Sequence, residues 1–404
     1  MQHTAFGAAI ARPVATGWDH TMRIGIIGTG VAGSLLAEAL LDAPRHAVTA
    51  FDRVAPDEHA GAGTGLNIGP NALKALRLHM PARHAALRAA SLPWRRWFVD
   101  LVDGTRLLDL DMLDVAEDAG VRIRWSELYR LLRAPLAGCT RYGQTLEALE
   151  EDAAGRLIPV FRYNNGLLRD GAFDLLVGAD GRYSRLRALT AGEPESTPLG
   201  VCIWRLLVND VQDCPYDDYG QWFNGNARLL SFRVPGNAVY IAGTFPLFDT
   251  EQIPEAMKTA AAQRALFLPQ SGAPCAAVAW MLNRIEAHLS DIHWARSATT
   301  PMLRQAAEGR ALFLGDSAQA MVPTLGQGAT QAVECGVVAA QVLLRGGTVA
   351  EIVALRDPRV AFVRDFSWEA SDTLVPPCDV VAATRMKAEA PFIAKLRRLY
   401  TDVQ

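Results

Sequence analysis

The stretch Arg23-Ile24-Gly25-Ile26-Ile27-Gly28-Thr29-Gly30-Val31-Ala32-Gly33 decides the fold of this chain. Its first five residues form a short β-branched run, which is typical of a buried parallel strand. The glycines that follow allow a tight turn and a close backbone approach, and residues 34–41 continue with helical spacing of apolar side chains. A second predicted strand, residues 48–51, ends at Asp52. The stretch therefore predicts a nucleotide-binding βαβ unit with a pyrophosphate at the helix N-terminus.

Within this unit, Asp52 is placed to accept hydrogen bonds from the adenosine ribose hydroxyls. The motif does not separate FAD from NAD, so a plain NAD dehydrogenase stays open as an alternative at this point. The residues predicted to bind the nucleotide are Gly28, Gly30, Val31, Ala32, Gly33, Asp52 and Arg53.

Two later segments help to distinguish FAD from NAD as the bound nucleotide. Residues 173–178 form another buried-strand pattern and lead into Gly178-Ala179-Asp180-Gly181, with Ser184 and Arg187 following. Residues 311–314 form a third such pattern, which ends in Gly315-Asp316, and residues 323–328 (PTLGQG) then precede a predicted helix over 329–344. A strand-end Asp can hold polyol hydroxyls, and a glycine-rich helix start offers N–H groups to a developing anion. These features suit the ribityl chain and the N1/O2 edge of a reduced flavin.

The three motifs (GxGxxG, GADGxxSxxR, and GD followed by PxxGQG) resemble those of the single-component FAD-dependent aromatic hydroxylases, the para-hydroxybenzoate hydroxylase fold group. The resemblance spans residues 22–345, and residues 63–71 (GTGLNIGPN) are most similar to the branch containing 6-hydroxynicotinate 3-monooxygenase and salicylate hydroxylase. It implies a flavoprotein monooxygenase with FAD as cofactor, NADH or NADPH as transient reductant, O2 as co-substrate and a C4a-hydroperoxyflavin. The implied substrate is an activated aromatic or N-heteroaromatic ring of hydroxypyridine, quinoline or hydroxybenzoate type. One alternative is an FAD-dependent oxidase or reductase of related fold that acts on a non-aromatic substrate, and another is a non-catalytic FAD-binding protein.

By this resemblance, Asp180 helps to bind flavin and nicotinamide, and Asp316 contacts the ribityl chain. Asn67 and Pro323 are the predicted catalytic residues. Asn67 stands where related hydroxypyridine enzymes carry a substrate-contacting His, and an amide orients a ring hydroxyl or nitrogen without acting as a general base near neutral pH. The chain departs from the family pattern at Trp125, where a flavin-contacting Arg is usual, and at Gln319, Thr330 and Cys335. The further predicted cofactor contacts are Arg124, Gly315, Gly326, Gln327, Gly328 and Ala329.

We therefore predict an α/β fold with a Rossmann-like FAD-binding domain, an inserted antiparallel-sheet substrate domain and C-terminal helices. Hairpin signals at residues 103–104 (DG) and 164–166 (NNG) support strands around each turn. The predicted boundaries are 1–21 for an N-terminal extension, 22–93, 119–190 and 298–347 for the FAD-binding domain, 94–118 and 191–297 for the substrate domain, and 348–404 for a C-terminal helical region.

The inserted sheet is predicted to form the wall of the substrate pocket. Arg228 and Arg205 are candidates for holding a substrate carboxylate or phenolate, with a structural or surface arginine as the alternative. For the aromatic residues the alternative is sheet core. The predicted pocket residues are Asn67, Trp204, Trp222, Arg228, Phe232 and Pro323.

Composition limits the partners and the compartment. The formal net charge is −3 and there is no basic run, so nucleic acid is not an expected partner. The six cysteines lack CxxC spacing, which favours reduced thiols in a cytoplasmic protein and argues against disulfides or a metal site. No apolar stretch is long enough for a membrane span, and residues 1–21 lack the features of a secretory signal. The expected partner is a small aromatic substrate, and the expected state is a monomer or homodimer.

Overall fold

The computed structural model describes residues 21–41, 43, 45–55, 64–248, 250 and 252–403. Residues 1–20 of the predicted N-terminal extension and Gly63 of the loop at 63–71 lie outside the described residues.

The strands are β1 (Met22–Ile27), β2 (His46–Phe51), β3 (Gly65–Ile68), β4 (Leu92–Trp94), β5 (Arg96–Leu101), β6 (Arg106–Asp111), β7 (Gly120–Arg124), β8 (Thr140–Arg141), β9 (Thr145–Glu151), β10 (Leu157–Tyr163), β11 (Gly166–Arg169), β12 (Leu175–Gly178), β13 (Thr197–Val208), β14 (Tyr219–Asn224), β15 (Ala227–Val234), β16 (Ala238–Pro246), β17 (His293–Thr299), β18 (Gln305–Ala306) and β19 (Ala311–Phe313). The helices are α1 (Val31–Leu40), α2 (Pro70–His79), α3 (Pro81–Ala89), α4 (Trp125–Arg133), α5 (Arg185–Ala191), α6 (Ala260–Phe267), α7 (Ala276–Ala287), α8 (Gln327–Leu344), α9 (Val349–Glu369), α10 (Val380–Met386) and α11 (Ala390–Thr401).

A six-stranded sheet forms the centre of the nucleotide-binding part, in the order β18-β19-β12-β1-β2-β8. The pairs β19/β12, β12/β1, β1/β2 and β2/β8 are parallel, so three segments far apart in sequence end at the same edge. Helices α1 and α8 cover one face of this sheet, and the meander β9-β10-β11 packs on the other. The predicted hairpin at 164–166 is confirmed as β10/β11.

A seven-stranded sheet forms the second layer, in the order β17-β13-β16-β15-β14-β5-β6. The predicted hairpin at 103–104 is confirmed as β5/β6, and this hairpin joins the sheet from the segment at 94–118. The sheet was predicted to be antiparallel, and one pair departs from that prediction because β14 and β5 run parallel. A parallel pair needs a long connection, and here the whole segment between residues 102 and 218 separates the two strands.

The third unit is the small sheet β3-β7-β4, which carries the loop preceding α2. Helix α2 packs against α8, and the C-terminal helix α11 packs against α2. The predicted C-terminal helical region is thus present as α9 to α11. Helices α9 to α11 pack into the core of the seven-stranded sheet, and α9 also packs into the core of the nucleotide-binding sheet.

Buried charges tie α9 to α8. Glu334 is 0% exposed, and its two oxygens contact Arg356 at 3.0 Å and Arg359 at 3.2 Å. The amide of Asn71 on α2 donates to the same carboxylate at 2.5 Å. Burial alone would raise the pKa of Glu334, but the two arginines outweigh burial and hold its pKa below the usual value. The carboxylate is therefore ionised and fully partnered in the folded protein.

Replacing Glu334 with Gln should lower the free energy of unfolding by about 3–5 kcal/mol, because two buried guanidinium groups lose their counter-ion. The folded-state pKa is depressed, so the stabilisation is present above the unfolded value of about 4.3 and is lost as pH falls through the folded pKa. Urea denaturation of wild type between about pH 3 and pH 7 should show this loss, and Glu334→Gln should show less of it.

The matched control is Glu127→Gln, which removes a carboxylate from the surface pair with Arg130. It should change the free energy of unfolding by less than about 1 kcal/mol. Equal effects of the two substitutions would contradict a special role for the buried cluster.

Candidate active site

An open cleft of about 280 Å³ lies at the carboxyl ends of β1, β2, β12 and β19. Ligands of doubly wound sheets bind at this edge. The three sequence motifs meet there, although almost 300 residues separate the first from the last. Most of the predicted cofactor-binding residues line the cleft: Gly28, Gly30, Val31, Ala32, Asp52, Arg53, Asp180, Gly315, Asp316, Gly328 and Ala329.

The first and second motifs are in direct backbone contact. Gly28 has a φ of +96°, and a Cβ at this position would lie 2.5 Å from the carbonyl oxygen of Ala179. The N–H of Ala179 donates to the carbonyl oxygen of Ile27 at 2.7 Å. A side chain at position 28 would therefore push the two motifs apart.

Two helices begin at the cleft without a side-chain cap from the described residues. Helix α1 follows the N-cap Gly30, and α8 follows the N-cap Gly326, whose φ of +64° is in the left-handed region. The first N–H groups of a helix have no intrahelical acceptor, and they carry the positive end of the helix dipole. Both helix starts are thus suited to bind anionic or electron-rich groups of a ligand.

Asp52 is buried, and protein groups already use most of its hydrogen-bonding capacity. Its Oδ2 accepts from the N–H of Thr29 at 2.9 Å, from the Oγ1 of Thr29 at 2.6 Å, and from Nη2 of Arg133 at 2.8 Å. Its Oδ1 accepts from the N–H of Val54 at 3.2 Å. A ribose contact by Asp52 stays a prediction, and only Oδ1 retains capacity for it.

Two further carboxylates face the cleft. Oδ2 of Asp180 accepts from the N–H groups of Arg185 at 2.7 Å and Leu186 at 3.3 Å, whereas its buried Oδ1 has no partner among the described residues. Burial raises the pKa of Asp180. The side chain of Asp316 is exposed to the cleft and lies beside Gly328 at the start of α8. The surrounding protein raises the pKa of Asp316 by desolvation, and Arg182 opposes this shift.

Four predicted cofactor residues do not line this cleft. Gly33 lies behind it and packs against Gly28, and Gln327 is buried, with its Oε1 accepting from Asn71 at 3.1 Å. Gly326 lines a neighbouring cavity instead. The prediction of Arg124 as a cofactor contact is wrong for this cleft. Arg124 is the last residue of β7, and its guanidinium donates to Asn209 outside the cleft.

One face of α4 lines the cleft; the sequence interpretation noted Trp125 at a flavin-contacting position but missed Tyr129 and Arg133. Trp125, Tyr129 and Arg133 follow each other at a spacing of four residues, so they lie on the same side of the helix. The rings of Trp125 and Tyr129 meet edge to face at 4.8 Å, and the guanidinium of Arg133 lies 4.7 Å from the centre of the Tyr129 ring. The i, i+4, i+8 pattern was available in the sequence as a signal. Gln144, Leu146 and Tyr183 also line the cleft and were not predicted.

The departures from the family pattern have distinct surroundings. The hydroxyl of Thr330 accepts from the N–H of Gly69 and donates to the carbonyl of Gly326, both at 3.0 Å. Gln319 is buried beside Asp316, and neither atom of its amide has a partner among the described residues. Cys335 is buried, and nearby Arg356 and Arg304 lower the pKa of its thiol against the opposing effect of burial. Thr330 therefore ties the start of α8 to the loop preceding α2.

A small cavity of about 20 Å³ lies between the loop at 323–326 and the seven-stranded sheet. Asn67 lines it, and the Oδ1 of this residue is buried without a partner in the described part of the chain. Tyr219 and Trp97 form its aromatic wall, and Phe232 stacks on Tyr219 at 5.9 Å between ring centres. Burial raises the pKa of Tyr219 to about 12, so its hydroxyl is protonated near neutral pH.

Arg228 lines an adjoining cavity of about 10 Å³ that shares Trp97, Thr324 and Leu325 with the first. It is 4% exposed, its Nε has no partner among the described residues, and burial lowers its pKa. Lys387 of the C-terminal region lines the same cavity, and it is paired with Asp372 at 2.7 Å. Two buried cations thus line the cavity: Lys387, which has a carboxylate partner, and Arg228, whose Nε–H has no hydrogen-bond acceptor among the described residues.

The predictions for Trp204 and Trp222 as pocket residues are wrong. Both side chains pack on the opposite face of the seven-stranded sheet, in the core formed with α6 and α7. Trp204 contacts Phe267 and Trp294, and Trp222 contacts Phe98. Alternate residues of a strand point to opposite faces, so Trp222 lies on the far side although its neighbour Phe223 lines the Arg228 cavity. Pro323 is exposed on the loop preceding α8.

Known proteins resemble this chain along most of its length, although no family model matches it. A 2-heptyl-3-hydroxy-4(1H)-quinolone synthase of Pseudomonas aeruginosa is 25% identical over 371 residues, which cover 86% of this chain and 88% of that protein. A salicylate hydroxylase of Pseudomonas putida is 28% identical over 391 residues, which cover 87% and 86%. The crystal structure of HpxO of Klebsiella pneumoniae, complexed with FAD and uric acid, aligns with a TM-score of 0.78 at 19% identity and covers 94% of this chain and 96% of that one.

The predicted resemblance to the flavoprotein aromatic hydroxylases is confirmed. The predicted α/β fold class is confirmed as well. The comparisons support the predicted flavoprotein monooxygenase and its predicted cofactor, FAD. No helix of the described residues has the length and apolar character that crossing a membrane requires.

Replacing Asp316 with Ala should reduce retention of FAD by about 10-fold, because a carboxylate facing the cleft loses its hydrogen bonds to ligand hydroxyls. The measurement is the ratio of flavin to protein after gel filtration. The control is Asp213→Ala, which removes an exposed carboxylate paired with Arg284 away from the cleft and should keep the wild-type ratio. Wild-type flavin content in Asp316→Ala would contradict the assignment.

Proposed function

We propose that this chain binds FAD in the cleft and uses NAD(P)H and O2 to hydroxylate an activated aromatic or N-heteroaromatic ring. The observation that carries the proposal is the convergence of Gly28, Asp180 and Asp316, from three distant segments, on one cleft. A cavity with an aromatic wall lies next to it, and Gly326 at the start of α8 lines that cavity. A cofactor and a ring-shaped substrate would thus meet at the same helix start.

The residues of the cleft fit FAD. Gly28 lets the first and second motifs meet at the cleft, and the N–H groups at the start of α1 suit the negative charge of a pyrophosphate. Asp316 faces the cleft where ribityl hydroxyls would bind, and the unpartnered Oδ1 of Asp180 is available to a ligand donor. The start of α8 offers N–H groups to the N1/O2 edge of the ring system. Bound FAD, once reduced by a nicotinamide nucleotide, supplies the activation of O2.

The chain's own residues orient the substrate and exclude water. Asn67 offers an unpartnered amide oxygen to a ring hydroxyl or ring N–H, and Tyr219 stays protonated as a neutral hydrogen-bonding group. Neither group is a general base near neutral pH. The two cavities are too small for a ring as they stand, at about 20 and 10 Å³, so substrate binding requires movement of residues that line them.

Arg228 favours a substrate with an anionic substituent. A buried guanidinium without full hydrogen bonding costs free energy, which a carboxylate or phenolate of the substrate would offset. Asn67 and Arg228 line adjoining cavities, so one ring could reach both. Among hydroxypyridine, quinoline and hydroxybenzoate types, this arrangement favours rings that carry a carboxylate or an ionised hydroxyl.

A screen of hydroxybenzoates, hydroxypyridines and hydroxyquinolines tests the function. Under anaerobic conditions the right ring should accelerate bleaching of the flavin by NADH or NADPH. In air, the same compound should yield a product heavier by one oxygen atom in mass spectrometry. Oxygen uptake with peroxide and no hydroxylated product would favour an oxidase or reductase of related fold. A colourless protein that takes up no added FAD would contradict the whole proposal.

Replacing Arg228 with Met should raise KM for carboxylated substrates by about 10- to 100-fold, because an ionic hydrogen bond is lost. The neutral amide or unsubstituted analogue of the same ring should show a change of less than about 3-fold. The control is Arg233→Met on the same strand, whose guanidinium donates to the carbonyl of Val211 at 3.3 Å. Equal effects on charged and neutral substrates would contradict the anion-binding role.

A further inference from the structure

Arg133 is a buried cation with one donor group left over. It is 8% exposed and lies at the end of the α4 face that lines the cleft. Its Nε donates to the carbonyl of Thr29 at 3.0 Å, and its Nη2 donates to Oδ2 of Asp52 at 2.8 Å. Its Nη1 is buried and has no partner in the described part of the chain.

The two satisfied contacts fix the direction of the third. A guanidinium is planar and presents its N–H groups in a rigid fork, so anchoring Nε and Nη2 also fixes Nη1. The anchors are the turn residue Thr29 and the strand-end residue Asp52, which flank the adenosine end of a dinucleotide in this kind of fold. A buried N–H without an acceptor is costly, which points to an acceptor supplied by a ligand.

A second unpartnered group lies at the same end of the cleft. Gln144 is 8% exposed, and its backbone N–H donates to the carbonyl of Asp52 at 3.0 Å. Its side-chain Oε1 is buried without a partner among the described residues, and the residue lines the cleft. The residues that carry the unused donor and the unused acceptor thus both bond to Asp52, whose own Oδ2 already accepts three hydrogen bonds.

Arg133 supplies the cation on the α4 face that lines the cleft. Trp125, at the start of the same face, contributes an indole, and Arg133 lies eight residues further along α4. Tyr129 lies between the two and packs against both side chains.

We propose that Arg133 and Gln144 bind the ADP half of FAD. Nη1 of Arg133 donates to an oxygen of the ribose or pyrophosphate, and Oε1 of Gln144 accepts from a donor of the same half. Arg133 also holds Thr29 and Asp52 in place, so the same side chain orders the glycine-rich turn and contacts the ligand. This inference rests on the proposed FAD site.

The test uses the full chain freed of flavin, with titrations of FAD, FMN and ADP followed by flavin fluorescence or by displacement. Arg133→Met should weaken FAD binding by about 10- to 100-fold, and Gln144→Met by about 3- to 10-fold. FMN lacks the adenosine, so it should bind Gln144→Met with the wild-type Kd, and it should lose less affinity than FAD for Arg133→Met, where the glycine-rich turn loses one hydrogen bond. ADP and adenosine, used as competitors, show whether Arg133 contacts the pyrophosphate or the ribose. If the contact is to the pyrophosphate, Arg133→Met should bind ADP more weakly than wild type and adenosine with unchanged affinity.

The Gln144→Met variant serves as the control for structural damage. The substitution removes an acceptor that has no partner among the described residues, so the melting temperature of the variant without ligand should be no lower than that of wild type. The matched control for Arg133 is Arg83→Met, which breaks the pair with Glu38 and the hydrogen bond to the carbonyl of Leu131 on α4, outside the cleft. It should lower the melting temperature and leave the Kd for FAD unchanged.

Two results would overturn the inference. One is a wild-type Kd for FAD in both Arg133→Met and Gln144→Met. The other is an equal loss of FMN and FAD affinity in these variants, which would mean a general disturbance of the cleft. Failure of the wild-type chain to bind any flavin would instead contradict the proposed function, so the two failures are distinguishable.

Discussion

The contact between Gly28 and Ala179 is the constraint on which the nucleotide-binding part depends. The two backbones approach so closely that even a methyl group at position 28 would collide with the carbonyl of Ala179. This contact holds the end of β1 against the end of β12, and β19 then follows on the other side of β12. Asp180 and Asp316 reach the same cleft because these strands are parallel neighbours whose carboxyl ends share one edge.

Two buried arginines line cavities while one N–H group of each is left over. The cluster of Glu334, Arg356 and Arg359 is also buried; both oxygens of its carboxylate are partnered, and Nε of Arg356 has no partner among the described residues. Arg133 and Arg228 each retain an N–H without an acceptor among the described residues, and each lines a cavity. Since unpaired buried polar groups are costly, their position at cavities favours ligand binding over a purely structural role.

Predictions that rested on local chain geometry were the more successful ones. The hairpins at 103–104 and 164–166 and the helix predicted over 329–344 follow from turn residues and periodicity, which act over a few residues. The pocket assignments of Trp204 and Trp222 depended on which face of a strand meets the cofactor side. The face to which a side chain points depends on pairing between strands that are distant in the chain. A shift of the strand register by one residue turns the side chain to the opposite face.

The sequence by itself determined the class of fold and the kind of cofactor site, because glycines and strand-end aspartates in this order satisfy requirements of backbone geometry and hydrogen bonding. Only the tertiary structure decided which cations face the cleft. Arg124 precedes the family's usual Arg position and points away, whereas Arg133 enters the cleft from two turns further along α4. Side-chain direction depends on how the helix and the sheet pack together, and such packing joins residues that are remote in the chain.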